Sequence, residues 1–175
     1  MGIVIENEFG VDAAPDDVYA LLVDVERVAP CIPGAEVIGR RDDGAYDAKA
    51  TVKLGPMGLT YKGTAEITEA DPAARRAVMR AKGNDQKGQG TAQALMTMQV
   101  EPEGAGSRVK MSSDILVSGR VAQMGRGIMQ DVATRMIGEM AKCLETTLKT
   151  GQRVEADNPN AIGVMLGSVF RRKDD

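Results

Sequence analysis

Residues 109–150 read VKMSSDILVSGRVAQMGRGIMQDVATRMIGEMAKCLETTLKT, and the apolar period changes partway along them. Val109, Met111, Ser113, Ile115 and Val117 alternate with Arg108, Lys110, Ser112, Asp114 and Leu116, the period-two pattern of a strand with one buried face. Beyond Met124 the period lies between three and four. Met124, Ile128, Val132, Met136, Met140, Leu144 and Leu148 recur at a constant helical stride, with Met129, Ala133, Ile137 and Ala141 beside them. A stride of four drifts around a helix, so these residues make a broad, slanted apolar stripe on one long helix. Such a helix must bury its stripe on the concave face of a sheet.

That sheet is written upstream. Ile3, Ile5 and Phe9 alternate with Val4, Glu6 and Glu8 as a first strand. Ala14-Pro15-Asp16-Asp17 opens a helix, with Pro in its first turn and acids suited to the helix dipole, and Val18, Leu21, Leu22 and Val25 follow at helical spacing. Asp24 to Cys31 is a second short helix, ended by Ile32-Pro33-Gly34, and Pro before Gly fits a type II turn. From Val37 a meander runs through turns at residues 42–44, 55–58, 71–72, 83–85 and 103–106. The order is one strand, two short helices, six antiparallel strands and one long helix, an α+β protein.

The inward phases of four strands are unusually small. They read Tyr46, Ala48, Ala50, Val52, Leu54; Leu59, Tyr61, Gly63, Ala65, Ile67; Ala77, Met79, Ala81; and Gly90, Ala92, Ala94, Met96, Met98. Nine of these eighteen positions are Ala or Gly, where strands favour branched and aromatic residues. A sheet curved around such a face encloses space for an apolar guest, or else lets the helix settle closer. The eleven methionines carry the same two readings: gap fillers, or a surface that adapts to varied apolar partners. Tyr46 and Tyr61 lie in the inward phase, where each phenol needs a partner. They bond each other or water, or they present a donor to a carbonyl on the guest.

Composition excludes several function classes. A net charge of −3 with both signs interspersed leaves no field for nucleic acid. With no His, and with two Cys far apart in sequence, the chain offers no local metal- or haem-ligand motif, and Ser-His or Cys-His nucleophilic triads are excluded. Cys31 and Cys143 form no framework and no CxxC pair, which fits a reducing cytoplasm. Cys31 reads as a buried structural thiol ahead of the turn more readily than as a reactive one at a cavity mouth. Gly83 to Gly90 is a hairpin loop and not a phosphate loop, because it joins two strands. Asp16 and Asp17 serve the helix N-terminus, and Arg75, Arg76 and Arg80 form a solvated strand face. Nothing resembles an export signal or a membrane span, so the expectation is a soluble or peripheral cytoplasmic protein.

The C-terminal residues carry a second signal. Residues 150–160 read as a flexible linker after a domain of residues 1–149, and residues 161–175 as an amphipathic segment. Asn158-Pro159 starts a helix, and Ile162, Met165, Leu166, Val169 and Phe170 fall on one face, closed by Arg171, Arg172 and Lys173. Too short to span, this face suits an anionic membrane surface. Gly163 and Gly167 also permit close docking on its own domain or on a partner.

Several segments resemble the family of G-type carbon monoxide dehydrogenase subunits within the START-like (SRPBCC, Bet v 1-like) superfamily. They are Ala14-Pro15 with Asp17-Val18-Tyr19, Cys31-Ile32-Pro33-Gly34-Ala35-Glu36, Val52-Lys53-Leu54-Gly55-Pro56-Met57, Tyr61-Lys62-Gly63 and Val117-Ser118-Gly119-Arg120-Val121-Ala122-Gln123-Met124-Gly125. Tyr19 stands where many relatives carry Trp. The resemblance implies a helix-grip fold: a seven-stranded antiparallel sheet wrapped around the C-terminal helix, with a hydrophobic cavity between them. It also implies association with molybdenum-containing CO dehydrogenase, or a related hydroxylase, and with the membrane. Such enzymes need an electron acceptor, and respiratory quinones are dissolved in the bilayer.

The expectation is therefore a non-enzymatic accessory protein that binds a quinone non-covalently, menaquinone before ubiquinone, and links the enzyme to the inner face of the cell membrane. Its expected lining is Tyr46, Ala48, Ala50, Leu59, Tyr61, Gly63, Ala77, Met79, Ala92, Ala94, Met96 and Met111 from the sheet. The helix adds Ile128, Met129, Val132, Met136 and Met140. A ligand-free scaffold or maturation factor, and a START-like cyclase or hydratase, are the alternatives.

Overall fold

The computed structural model describes residues 2–151, so nearly all of the expected linker and the whole segment 161–175 lie outside the described residues. The seven strands are β1 (Gly2–Val11), β2 (Ala35–Arg40), β3 (Tyr46–Leu54), β4 (Met57–Asp71), β5 (Arg76–Asp85), β6 (Thr91–Glu103) and β7 (Gly106–Val117). They form one antiparallel sheet in the order β1-β7-β6-β5-β4-β3-β2. Helices α1 (Pro15–Leu22) and α2 (Val25–Val28) and a 3-10 turn at Ala29–Cys31 connect the two edge strands. β7 leads through a second 3-10 turn, Gly119–Gln123, into α3 (Arg126–Thr150). The expected element order is observed, with α3 beginning at the change of period.

Local chemistry places these elements. Pro15 opens α1 with Asp16 and Asp17 in its first turn, and the Asp24 carboxylate caps α2 by accepting the Arg27 N–H at 3.3 Å. The type II turn forms at Pro33-Gly34: the Ala35 N–H donates to the Ile32 carbonyl at 3.0 Å, and Gly34 has φ +79°. The turn is fastened to the middle of β3, where the Thr51 N–H donates to the Gly34 carbonyl at 2.9 Å. Gly63 is small for another reason than the sequence implies. It faces Gly83 in register, and a Cβ there would collide with the Lys82 carbonyl and lie 2.6 Å from the Gly83 Cα. β4 and β5 approach too closely for a side chain, and a bulge between Ile67 and Glu69 bends the same pair further. The sheet curves here.

The concave face holds two apolar clusters. One gathers Val11, Val18, Leu21, Leu22 and Val28 against Met98, Val100, Val109, Met140 and Leu144. The other gathers Ile3, Ile5, Leu54, Leu59, Val117 and Val121 against Met129 and Val132. The helix thus touches the first core through its second half and the second core through its first half.

The cysteine expectation is corrected. Cys31 and Cys143 are bonded as a disulfide, with Cα atoms 5.3 Å apart, and Cys31 is neither a free structural thiol nor a reactive one. A separation of 112 residues hides such a pair from any reading of local spacing. The bond joins the turn after α2 to the fifth turn of α3.

Candidate functional site

Between its two cores α3 crosses open ground. Ala133, Met136, Ile137 and Met140 face Met79, Met96, Met98 and Met111 of the sheet across a cavity of about 190 Å³. Leu22, Val28, Ile32 and Pro33 form its side wall, and Asn7 and Ser113 are the polar residues in the lining. Six methionines surround one space, so a large part of its wall is flexible and polarizable and can adapt to a guest.

A second cavity, of about 160 Å³, lies over the Ala and Gly part of the sheet. Its floor is Ala48, Ala50, Gly63, Ala65, Ala81, Gly83, Ala92 and Ala94, with Tyr61 at one side. Ile115 lines both cavities, so they are neighbours on one concave surface. An apolar cavity of roughly 150 Å³ stays dry and accepts a benzene-sized guest. Each compartment has at least that volume and is partly open, so a ring system can extend past one compartment and the pair suits a longer apolar molecule.

One polar atom stands out in this lining. The Tyr61 hydroxyl is buried and has no hydrogen-bond partner among the described residues. Burial raises its pKa first, and the nearby Asp85 carboxylate raises it further. The group is a protonated O–H, a donor with nothing to donate to. Asp85 is itself engaged by backbone donors. It lies opposite Tyr61 in the register and accepts the N–H groups of Thr60, Lys87 and Gln89 at 3.1, 3.0 and 3.1 Å. Its burial alone would raise the carboxyl pKa, but these bonds and the Lys87 charge outweigh it and hold the group below the ordinary value. Gly83 to Asp85, expected as a turn, instead continue β5, and the loop of residues 86–90 that joins it to β6 is built around this carboxylate; the segment connects two strands, as expected.

The structure distributes the expected lining over several places. Met79, Met96, Met111, Met136 and Met140 meet in the first cavity, and Ala48, Ala50, Tyr61, Gly63, Ala92 and Ala94 in the second. Ala77 belongs to the core around Tyr19, while Leu59, Met129 and Val132 belong to the other core. Ile128 is exposed at 37 % and faces neither space. Tyr46 borders a separate groove with Val23, Val25 and Ile67, and Arg40 stacks over its ring at 5.9 Å. It pairs with Ala65 while Tyr61 pairs with Ala50, so the two phenols do not meet. The side wall of Val28, Ile32 and Pro33 escaped the sequence reading, since no local pattern tells which loop folds over a sheet. The segment Ile162, Met165, Leu166, Val169, Phe170, Arg171, Arg172 and Lys173 lies outside the described residues.

Among the described residues no cluster of His, Cys, Asp and Glu could hold a metal ion, and no helix is long and apolar enough to cross a membrane. Comparison with solved structures shows the START-like helix-grip fold. A conserved protein from Geobacillus kaustophilus superposes with a TM-score of 0.72 at 19% identity, over 85% of this chain and 97% of that one. A START superfamily protein from Mycobacterium smegmatis matches with a TM-score of 0.55 at 16% identity, over 85% and 99%. The Zhui aromatase/cyclase from Streptomyces sp. R1128 matches with a TM-score of 0.59 at 15% identity, over 88% and 100%. No curated protein matched the sequence. The sequence model of the CoxG family, the G-type subunits of carbon monoxide dehydrogenase, matches residues 8–149, and the chain belongs to that family.

Proposed function

We propose that this protein is an accessory subunit that holds a respiratory quinone, menaquinone in the first instance, and links a molybdenum-containing CO dehydrogenase to the membrane quinone pool. The observation that carries the reading is the Tyr61 hydroxyl, an orphaned donor buried beside a largely apolar double cavity. A guest with a carbonyl on a flat ring satisfies that donor, and its hydrocarbon chain suits the methionine-lined compartment. The residues expected to touch it are Ala48, Ala50, Tyr61, Ala92 and Ala94 at the ring and Met79, Met96, Met111, Met136 and Met140 at the chain. The family supplies the enzyme partner, and the amphipathic pattern of residues 161–175 supplies the anionic membrane surface at the cytoplasmic face. A cyclase activity, as in the structural neighbour from Streptomyces, has less support, because the buried phenol of the lining, Tyr61, has its pKa moved further from neutrality.

Organic extraction of the purified full chain followed by mass spectrometry tests the proposal. A prenylated quinone in stoichiometric amount supports it; a cavity that holds only water in every preparation overturns it. Removal of residues 152–175 separates carrier from scaffold: the carrier loses binding to anionic vesicles, and a scaffold continues to assemble the enzyme.

A further inference from the structure

The disulfide lies beside the candidate cavity and links two of its walls. Cys31 directly precedes Ile32 and Pro33 in the side wall, and Cys143 follows Met140 by three residues on the roof. The turn carrying Cys31 is tied on its far side to β3 by the Thr51–Gly34 hydrogen bond. The bond therefore pins the roof helix to a wall that is itself pinned to the sheet. Both half-cystines are buried, Cys31 at 0% and Cys143 at 4% exposure, so a reductant reaches them only when wall and roof part.

We propose that the Cys31–Cys143 disulfide is a redox latch on the cavity, closed when oxidised and open to guest exchange when reduced. The inference rests on the cavity being a guest site. In a reducing cytoplasm, where the protein is placed by the proposed function, persistent disulfides are rare and those that form are mostly transient or redox-sensing. The reductant is a dithiol of the thioredoxin class. Its thiolate attacks one sulfur and the Cys31–Cys143 bond breaks, leaving a mixed disulfide that its second thiol resolves. Two electrons and two protons pass to the cysteines, which leave as thiols, and the dithiol leaves as its own disulfide. The wall from Val28 to Pro33 is then held to α3 without a covalent bond, by packing and by the Cys31 Sγ–Thr147 Oγ1 contact at 3.7 Å, and the methionine-lined space opens between them.

The test uses the full chain and the neutral fluorophore N-phenyl-1-naphthylamine as the guest. Its dissociation is followed by stopped flow in air-oxidised protein, after dithiothreitol, and after reoxidation. The latch requires release at least about tenfold faster in the reduced form, equivalent to ~1.4 kcal/mol of barrier, reversed on reoxidation. The Cys31→Ser/Cys143→Ser variant should release at the reduced rate and ignore dithiothreitol; reversibility of the wild type answers the question if that variant fails to fold. Equal rates with retained binding overturn the latch and leave the guest site standing. Absence of binding in both forms removes the guest site and the latch with it. A protein whose intact mass shows two thiols after every oxidant also overturns it.

Discussion

Substituting Tyr61→Phe should raise the stability of the empty protein while weakening its hold on a carbonyl-bearing guest. The two effects have opposite signs because they arise from one oxygen. In the empty protein the hydroxyl is buried and unpaired, and an unsatisfied buried polar group costs about 1–3 kcal/mol. Removing it leaves an isosteric ring in an apolar wall. For a domain of this size ~1 kcal/mol corresponds to about 2–4 °C, so the melting temperature should rise by roughly 2–12 °C. With a guest present the same oxygen donates a hydrogen bond worth about 0.5–1.5 kcal/mol, which is a two- to twelve-fold loss of affinity on removal. The assay pairs scanning calorimetry of delipidated protein with titration of 1,4-naphthoquinone and of naphthalene. Only the quinone should bind more weakly to the variant. A variant that is less stable when empty, or that loses affinity for both ligands alike, refutes the assignment of Tyr61 as the carbonyl donor.

Gly63→Ala should be among the most damaging single substitutions, because a Cβ there meets the Lys82–Gly83 backbone and no flexible side chain can yield. A loss of about 3–5 kcal/mol in denaturant unfolding is expected, and a loss below ~1 kcal/mol would remove the argument for close strand approach. Leu144→Ala empties a fully buried position between α1 and the sheet and should cost about 2–5 kcal/mol in the same measurement. Asp85→Asn should lower the melting temperature at pH 7, and the gap to the wild type should shrink in acid. The folded pKa of Asp85 is depressed, so its contribution is complete above the unfolded value near ~3.9 and disappears as pH falls through the folded value. A gap independent of pH between 7 and 3 would show that the carboxylate charge is not what holds the hairpin.

The meander, the two short helices and the long helix were legible because each is encoded locally, in a period or a turn. The change of period after Val117 marks the passage from β7 to α3 within a few residues. The site was legible by composition and blurred in detail. A stride of four residues turns about 40° per step around a helix. Moving back from Met140, Met136 still faces the cavity, Val132 has rotated into the second core, and Ile128 reaches solvent. Small residues carried a similar ambiguity. Ala48 and Ala92 leave space above them, Ala77 is covered by core, and Gly63 is small because two backbones nearly touch. Sequence alternation assigns a face to each; which part of the curved face lies under the helix depends on the coiling of the whole sheet. The partner of Cys31 was hidden by the same non-local geometry.

The bond between Cys31 and Cys143 also turns most of the chain into a covalent ring. Six of the seven strands, β2 to β7, and the greater part of α3 lie within it, while β1 and α1 hang from one side and the last two turns of α3 from the other. A protease that cuts any one hairpin tip inside this ring opens it without releasing a fragment. The nicked and intact proteins then have nearly equal mass on a non-reducing gel and separate only after reduction. β1, by contrast, is held only by non-covalent contacts, the hydrogen bonds to β7, the Arg108–Glu8 ion pair and the burial of Ile3 and Ile5, so a single cut between Val11 and Cys31 leaves an edge strand that nothing covalent retains.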